Sequence, residues 1–138
     1  MTLKNTDNEY RITVSNRQTI DSETDTIEET AYGNYTEKNG KQYITYKTEN
    51  DGDKISSMIK IDGNEILIKR TGSVNSSMTY KVDTKKEFLY HLPYGTVPME
   101  IETQRIVSKL DENGGTIELV YTLMVQGEKY FNDMKITV

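Results

Sequence analysis

Punctuation constrains this chain more than any other feature of its sequence. Asn39-Gly40, Asp51-Gly52, Asp62-Gly63, Asn113-Gly114 and Gln126-Gly127 separate short stretches in which apolar and polar residues alternate. Asn-Gly and Asp-Gly accept the positive φ angles of two-residue hairpin turns, and the Lys38–Lys41 tetrapeptide around Asn39-Gly40 is the strongest signal of this kind. Turns recur every roughly 8–15 residues, and no segment of about ten or more keeps a 3.6-residue period, which predicts an all-β meander. Strands are expected over 10–15, 26–35, 42–47, 54–61, 65–71, 77–82, 88–92, 99–110, 116–125 and 129–138. Residues 21–25 read as a polar connection, 93–98 (PYGTVP) as a loop, and Gly33 as a bulge or close-approach point. About nine or ten strands in one small domain imply a single antiparallel up-and-down β-barrel or barrel-like sandwich, because closure removes both exposed edges.

Composition fits that reading and excludes several functions. The chain has 138 residues, of which 34% are hydrophobic and 28% charged, enough for one core but not for two dry faces. One barrel domain over residues 9–138 is expected, preceded by a polar, frayed segment over 1–8. The net charge of −5 comes from interspersed acids and bases. The densest basic run, Lys81 to Lys86, is broken by Asp83 and followed by Glu87, so no nucleic-acid partner is expected. Absence of cysteine removes disulfides and thiolate chemistry. His91 is the single histidine, which excludes His-cluster metal sites. No nucleophile elbow surrounds Ser73, Ser76 or Ser77, so His91 reads as a half-buried packer beside Tyr90 and Tyr94, and a hydrolase has the least support. The acids around Gly52 and Gly114 lack calcium-loop periodicity. No cofactor or metal is expected. No apolar stretch approaches the ~20 residues of a membrane span, and no signal-like core opens the chain, so a cytoplasmic protein without a membrane partner is expected.

Five segments carry a resemblance: IEETAYGNY (27–35), NGKQYITYK (39–47), IKRTGSVNSSM (68–78), LPYGT (92–96) and LDENGGTIELVYTL (110–123). In this order and spacing they resemble the YwiB-like domain of unknown function, a family of small uncharacterised bacterial proteins, over nearly the whole chain. The resemblance implies a closed antiparallel barrel of calycin type, similar in shape to lipocalins and fatty-acid-binding proteins. It implies no activity and no catalytic residues. Family-like positions include Arg70, Gly72, Asn75, Met78, Pro93, Tyr94 and Gly95. His91-Leu92 departs from the more polar lead-in expected before PYG.

The chemistry-bearing candidates come from strand phase. Arg70 alternates in phase with Ile66 and Ile68, Arg105 with Met99, Ile101 and Val107, and Glu29 with Ile27 and Ala31. If all three point inward, the lumen holds two guanidiniums and one carboxylate, leaving a net positive charge for an anionic guest. Asn75, Met78, Tyr90 and Tyr94 are placed near the rim. The expected function is a non-enzymatic barrel binding a small amphipathic or anionic molecule. The alternative is a filled barrel that binds a protein partner or forms a homodimer through an outer apolar strip of Met58, Ile106, Val120 and Met124. The remaining tyrosines read mostly as sheet residues.

Overall fold

The computed structural model describes residues 10–138; the 1–8 segment expected to be frayed lies outside the described residues. The described chain is all-β: β1 (Tyr10–Ile20), β2 (Glu23–Lys38), β3 (Lys41–Asn50), β4 (Asp53–Asp62), β5 (Glu65–Gly72), β6 (Ser76–Lys81), β7 (Lys85–Leu92), β8 (Gly95–Asp111), β9 (Gly114–Val125) and β10 (Glu128–Thr137). The strands form one antiparallel sheet in the order β6-β5-β4-β3-β2-β1-β10-β9-β8-β7, rolled into a nearly closed barrel. Among the described residues no helix is long and apolar enough to cross a membrane.

The turns fall where the glycine dipeptides stand, with Asn39 at φ 55° and Asp51 at φ 52°. Two connections are tighter than expected. Residues 21–25 contract to a two-residue hairpin, Asp21 taking φ 54° and Glu23 already pairing with Ile20. The 93–98 loop contracts as well, because β8 begins at Gly95. Leu89 pairs with Pro98 one residue before the β9 ladder starts at Met99, so proline sits where β8 has a single neighbour and its missing N–H is tolerated.

Barrel closure has an unusual place in the chain. First and last strands pair in full register, from Thr13 with Thr137 to Thr19 with Phe131. The seam lies mid-sequence, between β6 and β7. Asn75 and His91 exchange both backbone hydrogen bonds there, at 3.2 and 3.0 Å. At the other end of β6, the Asp83 N–H donates to the Thr103 carbonyl at 3.0 Å and the Thr103 N–H to that of Thr84 at 3.4 Å.

Gly33 makes the corner. The described β1–β2 and β2–β3 ladders overlap only at this residue, which pairs with Tyr10 on one side and Tyr46 on the other. Neither register shifts there, so the expected close approach occurs and the expected bulge does not. Beyond Gly33 toward Glu23, β3 no longer covers β2. Ile27 consequently stays 65% exposed although it shares a face with Glu29 and Ala31.

The interior is stratified. Ile12, Ile44, Ile59, Ile61, Ile66, Ile68, Ile117 and Ile136 fill one layer and are all essentially inaccessible. At this apolar end Gln42 ties the walls together, its Nε2 donating to the Tyr35 hydroxyl at 2.9 Å and to the Leu110 carbonyl at 2.7 Å. Tyr10 donates to the Glu112 carbonyl at 2.8 Å and packs its ring 5.8 Å from that of Tyr35.

Candidate functional site

The opposite layer is polar, and sequence places it there strand by strand. Five inward series reach a polar or phenolic residue at this level: Ile66, Ile68, Arg70 on β5; Ile61, Ile59, Ser57 on β4; Tyr80, Met78, Ser76 on β6; Ile136, Met134, Asn132 on β10; Ile117, Leu119, Tyr121 on β9. Registers then align them into rows. Tyr46, Ser57, Arg70 and Ser76 are successive partners across β3 to β6. Gln18, Asn132, Tyr121 and Thr103 are successive partners across β1, β10, β9 and β8. The sequence signal for this layer is the polar residue that these inward apolar series reach. Strand phase alone singles out just Arg70 and Glu29.

Arg70 is half-buried inside the barrel and interacts electrostatically with Tyr46, Tyr80, Glu29 and Tyr121. Among the described residues no carboxylate stands within the 4.0 Å of an ion pair with it. Glu29, also half-buried, accepts a hydrogen bond from the Tyr46 hydroxyl at 3.3 Å, and Ser57 is the cross-strand partner of Tyr46. Tyr80 and Tyr121 meet edge to face at 4.8 Å between ring centroids, and the Tyr80 hydroxyl donates to Met78 Sδ at 3.3 Å. Asn16 and Gln18 both donate to Asn132 Oδ1, at 3.0 and 2.9 Å. Three buried polar atoms of this layer have no hydrogen-bond partner among the described residues: Ser76 Oγ, Thr103 Oγ1 and Asn16 Oδ1. Buried polar atoms are ordinarily satisfied, and one of these, Ser76 Oγ, belongs to the cross-strand partner of Arg70.

Protonation states follow from burial. Loss of hydration raises the Tyr46 phenol above its ordinary range, with Glu29 adding to the rise and Arg70 opposing it. Burial likewise raises Tyr121, and Tyr80 well above the ordinary phenol value. At neutral pH all three are therefore neutral. Burial on its own would lower the Arg70 pKa, but the field of Tyr46, Tyr80, Glu29 and Tyr121 turns the net shift upward. Since phenols ionise only in alkali, Glu29 is the one negative group among these at neutral pH. The layer thus presents one guanidinium, one carboxylate and a ring of hydroxyls in a setting drier than water.

Other expected site residues lie elsewhere. Arg105 is exposed on the outer face, in the cross-strand row Arg17, Asp133, Val120, Arg105. A bulge is the reason: Thr103 pairs with Tyr121 and Arg105 with Val120, so Gln104 is an extra residue that reverses the phase of everything after it. Met78 is in the core, not at the rim, paired with Ile68. Tyr94 caps the β7–β8 turn at 86% exposure and lines no rim. His91 is exposed, its Nδ1 3.2 Å from Thr96 Oγ1, and is not the half-buried packer expected. Asn75 is exposed and donates from Nδ2 to the Gly72 carbonyl at 3.1 Å, whereas Tyr90 is half-buried against the core.

The outer apolar strip does not form. Ile106 packs against the core because of the same bulge. Val120 lies between Asp133 and Arg105, Met124 between Glu100 and Lys129, and Met58 beside Lys69. A wide, shallow concavity of about 570 Å3 lies outside β2–β5, lined by Lys47, Lys69, Thr45 and Ser56 among others; it carries no buried charge and offers no chemistry comparable with the inner layer. Among the described residues no group of three or more His, Cys, Asp or Glu is placed to hold a metal ion.

Comparison with known proteins agrees with this architecture. A family described as a domain of unknown function, DUF1934, matches residues 12–138. The uncharacterized β-barrel protein YwiB of Bacillus subtilis (strain 168) is 29% identical over 118 residues, which cover 85% of this chain and 83% of that protein. The crystal structure of the ywiB protein from Bacillus subtilis superimposes with a TM-score of 0.86 at 27% identity, covering 92% of this chain and 87% of that one.

Proposed function

Since the chain belongs to the DUF1934 family, whose description names no activity, we propose a function from the polar layer: a non-enzymatic barrel that binds a small anionic or amphipathic molecule at the Arg70 end. The observation that carries this reading is the unpaired guanidinium of Arg70 inside a barrel, beside unpartnered hydroxyls. Drawing a guanidinium out of water carries a desolvation cost, and a guanidinium that no carboxylate pairs directly keeps its hydrogen-bond donors for a guest. A carboxylate or phosphate oxygen on Arg70 would receive charge-assisted hydrogen bonds in a geometry suited to guanidinium forks. Ser76 and Thr103 offer further hydroxyl donors at the same level. Access is from the end where β3 leaves β2 and Ile27 stands uncovered, since Gln42, Tyr35 and Tyr10 fasten the other end.

Native mass spectrometry of protein isolated from its own host tests the reading. Wild-type protein is expected to release a small molecule in stoichiometric amount on denaturation, and Arg70→Met protein to carry none. Identical ligand-free spectra for both proteins, together with no binding of carboxylate or phosphate compounds to the wild type, would overturn it.

A further inference from the structure

We infer that the guest is a small zwitterion, its anionic group held by Arg70 and its ammonium by Glu29. This inference rests on the binding reading above and narrows it. With Arg105 on the outer face, the inner layer among the described residues holds one cation and one anion and no surplus positive charge. Arg70 and Glu29 feel each other electrostatically yet do not form an ion pair, although direct pairing is the ordinary outcome for opposite charges in a drier interior. Tyr46 links the two: its hydroxyl donates to Glu29 Oε1 at 3.3 Å and interacts electrostatically with Arg70. The two charges enter from different parts of the sheet. Arg70 stands on β5, two strands from Tyr46, and Glu29 on the part of β2 beyond the Gly33 corner.

That arrangement discriminates among guests. A plain carboxylate on Arg70 would bring a second negative charge toward Glu29, and a plain amine on Glu29 would bring a second positive charge toward Arg70. Like charges in such a setting repel, so each arm alone binds against a penalty. A molecule carrying both groups satisfies both residues and adds no net charge to the interior. Glu29 retains acceptor capacity for it, since an ionised carboxylate has about four lone-pair sites and Tyr46 occupies one. Ile27, on the same face as Glu29 two residues away and 65% exposed, offers apolar surface to the guest's side chain.

The test is a ligand-observed NMR screen of the common L-amino acids. For each binder the matched deaminated carboxylate and decarboxylated amine are then titrated against wild-type, Glu29→Gln and Arg70→Met protein. Glutamine keeps an acceptor for Tyr46, and circular dichroism checks that each variant folds. At least one zwitterion is expected to bind wild type about tenfold or more tightly than either matched partner, the low end for one charge-assisted hydrogen bond. Glu29→Gln is expected to remove that margin over the carboxylate by weakening the zwitterion and strengthening the carboxylate. Carboxylates that bind wild type as tightly as their zwitterions, lose binding in Arg70→Met and ignore Glu29→Gln would overturn the inference while leaving the binding reading intact. Absence of binding by amino acids, carboxylates and amines alike would overturn both.

Discussion

Replacing Gly33 by alanine puts one methyl group at the corner of the barrel. An added Cβ would press on the Thr45 carbonyl oxygen and lie 2.8 Å from both Ile12 Cδ1 and Tyr46 Cβ. Ile12 is 1% exposed and cannot swing away, and the Thr45 carbonyl belongs to the backbone of β3. Relief therefore requires β2 and β3 to part, which breaks the pairing of Gly33 with Tyr46 and strains that of Asn34 with Thr45. Overpacking costs about 1–3 kcal/mol. One or two lost backbone hydrogen bonds add roughly 1 kcal/mol each. A total of about 2–5 kcal/mol corresponds to a fall in melting temperature of roughly 10 °C or more for a domain of this size. Thermal and urea unfolding followed by circular dichroism measure it, with Gly40→Ala as the control. Gly40 has φ +77° but nothing within 4 Å of the added atom, so only backbone strain of about 1–2 kcal/mol is at stake. A Gly33→Ala midpoint within about 2 °C of wild type, or a loss smaller than that of Gly40→Ala, would refute the account of the corner as steric.

Arg70→Met should leave stability within about 1 kcal/mol of wild type or raise it by 1–2, because the desolvated guanidinium has no ion-pair partner to lose. A loss above about 3 kcal/mol in urea titrations would instead show it to be a structural ion-pair member. Alkaline stability depends on three phenols. Tyr46, Tyr80 and Tyr121 have folded pKa values above the ordinary 10.0, so their contribution is complete below pH 10 and is lost as pH rises through the folded values. Ultraviolet titration of the ten tyrosines should show at least these three ionising only with unfolding. A single transition of all ten near pH 10 with the fold intact would contradict their burial.

Much of the fold was legible because hairpin chemistry is local. Asn39-Gly40 or Asp51-Gly52 needs only its own φ angles, and alternation then assigns faces, which is how Arg70 and Glu29 were placed inside correctly. Arg105 was misplaced for an equally local reason that leaves no mark in the sequence. Gln104 is one residue too many opposite Tyr121 and Val120, and nothing in its chemistry distinguishes it from its neighbours. The hydroxyl layer was missed because it exists only across strands. Ser57, Ser76 and Asn132 each read as ordinary polar positions until registers bring them to one level. In the 21–25 and 93–98 connections polarity and proline suggest length, whereas Asp21-Ser22 and Pro93-Tyr94 each turn the chain in two residues.

Pairing of β1 with β10 gives the protein a topology that can be cut and rejoined. Its ladder joins residues more than 110 positions apart, such as Asn16 and Met134, so the barrel cannot close until β10 has been made. Reading the sheet from β7 through β10 and then β1 to β6, every neighbour follows its predecessor. A permutant with Met1 fused to Val138 and new ends at Asp83, in the β6–β7 turn, would turn this ladder into a local hairpin-like contact. Folding rates fall as contacts become more distant in sequence, so the permutant should refold faster than the parent at similar stability. The seam would then coincide with the chain ends, and the two halves could be made as separate peptides, β7–β10 and β1–β6, that assemble through the former terminal strands.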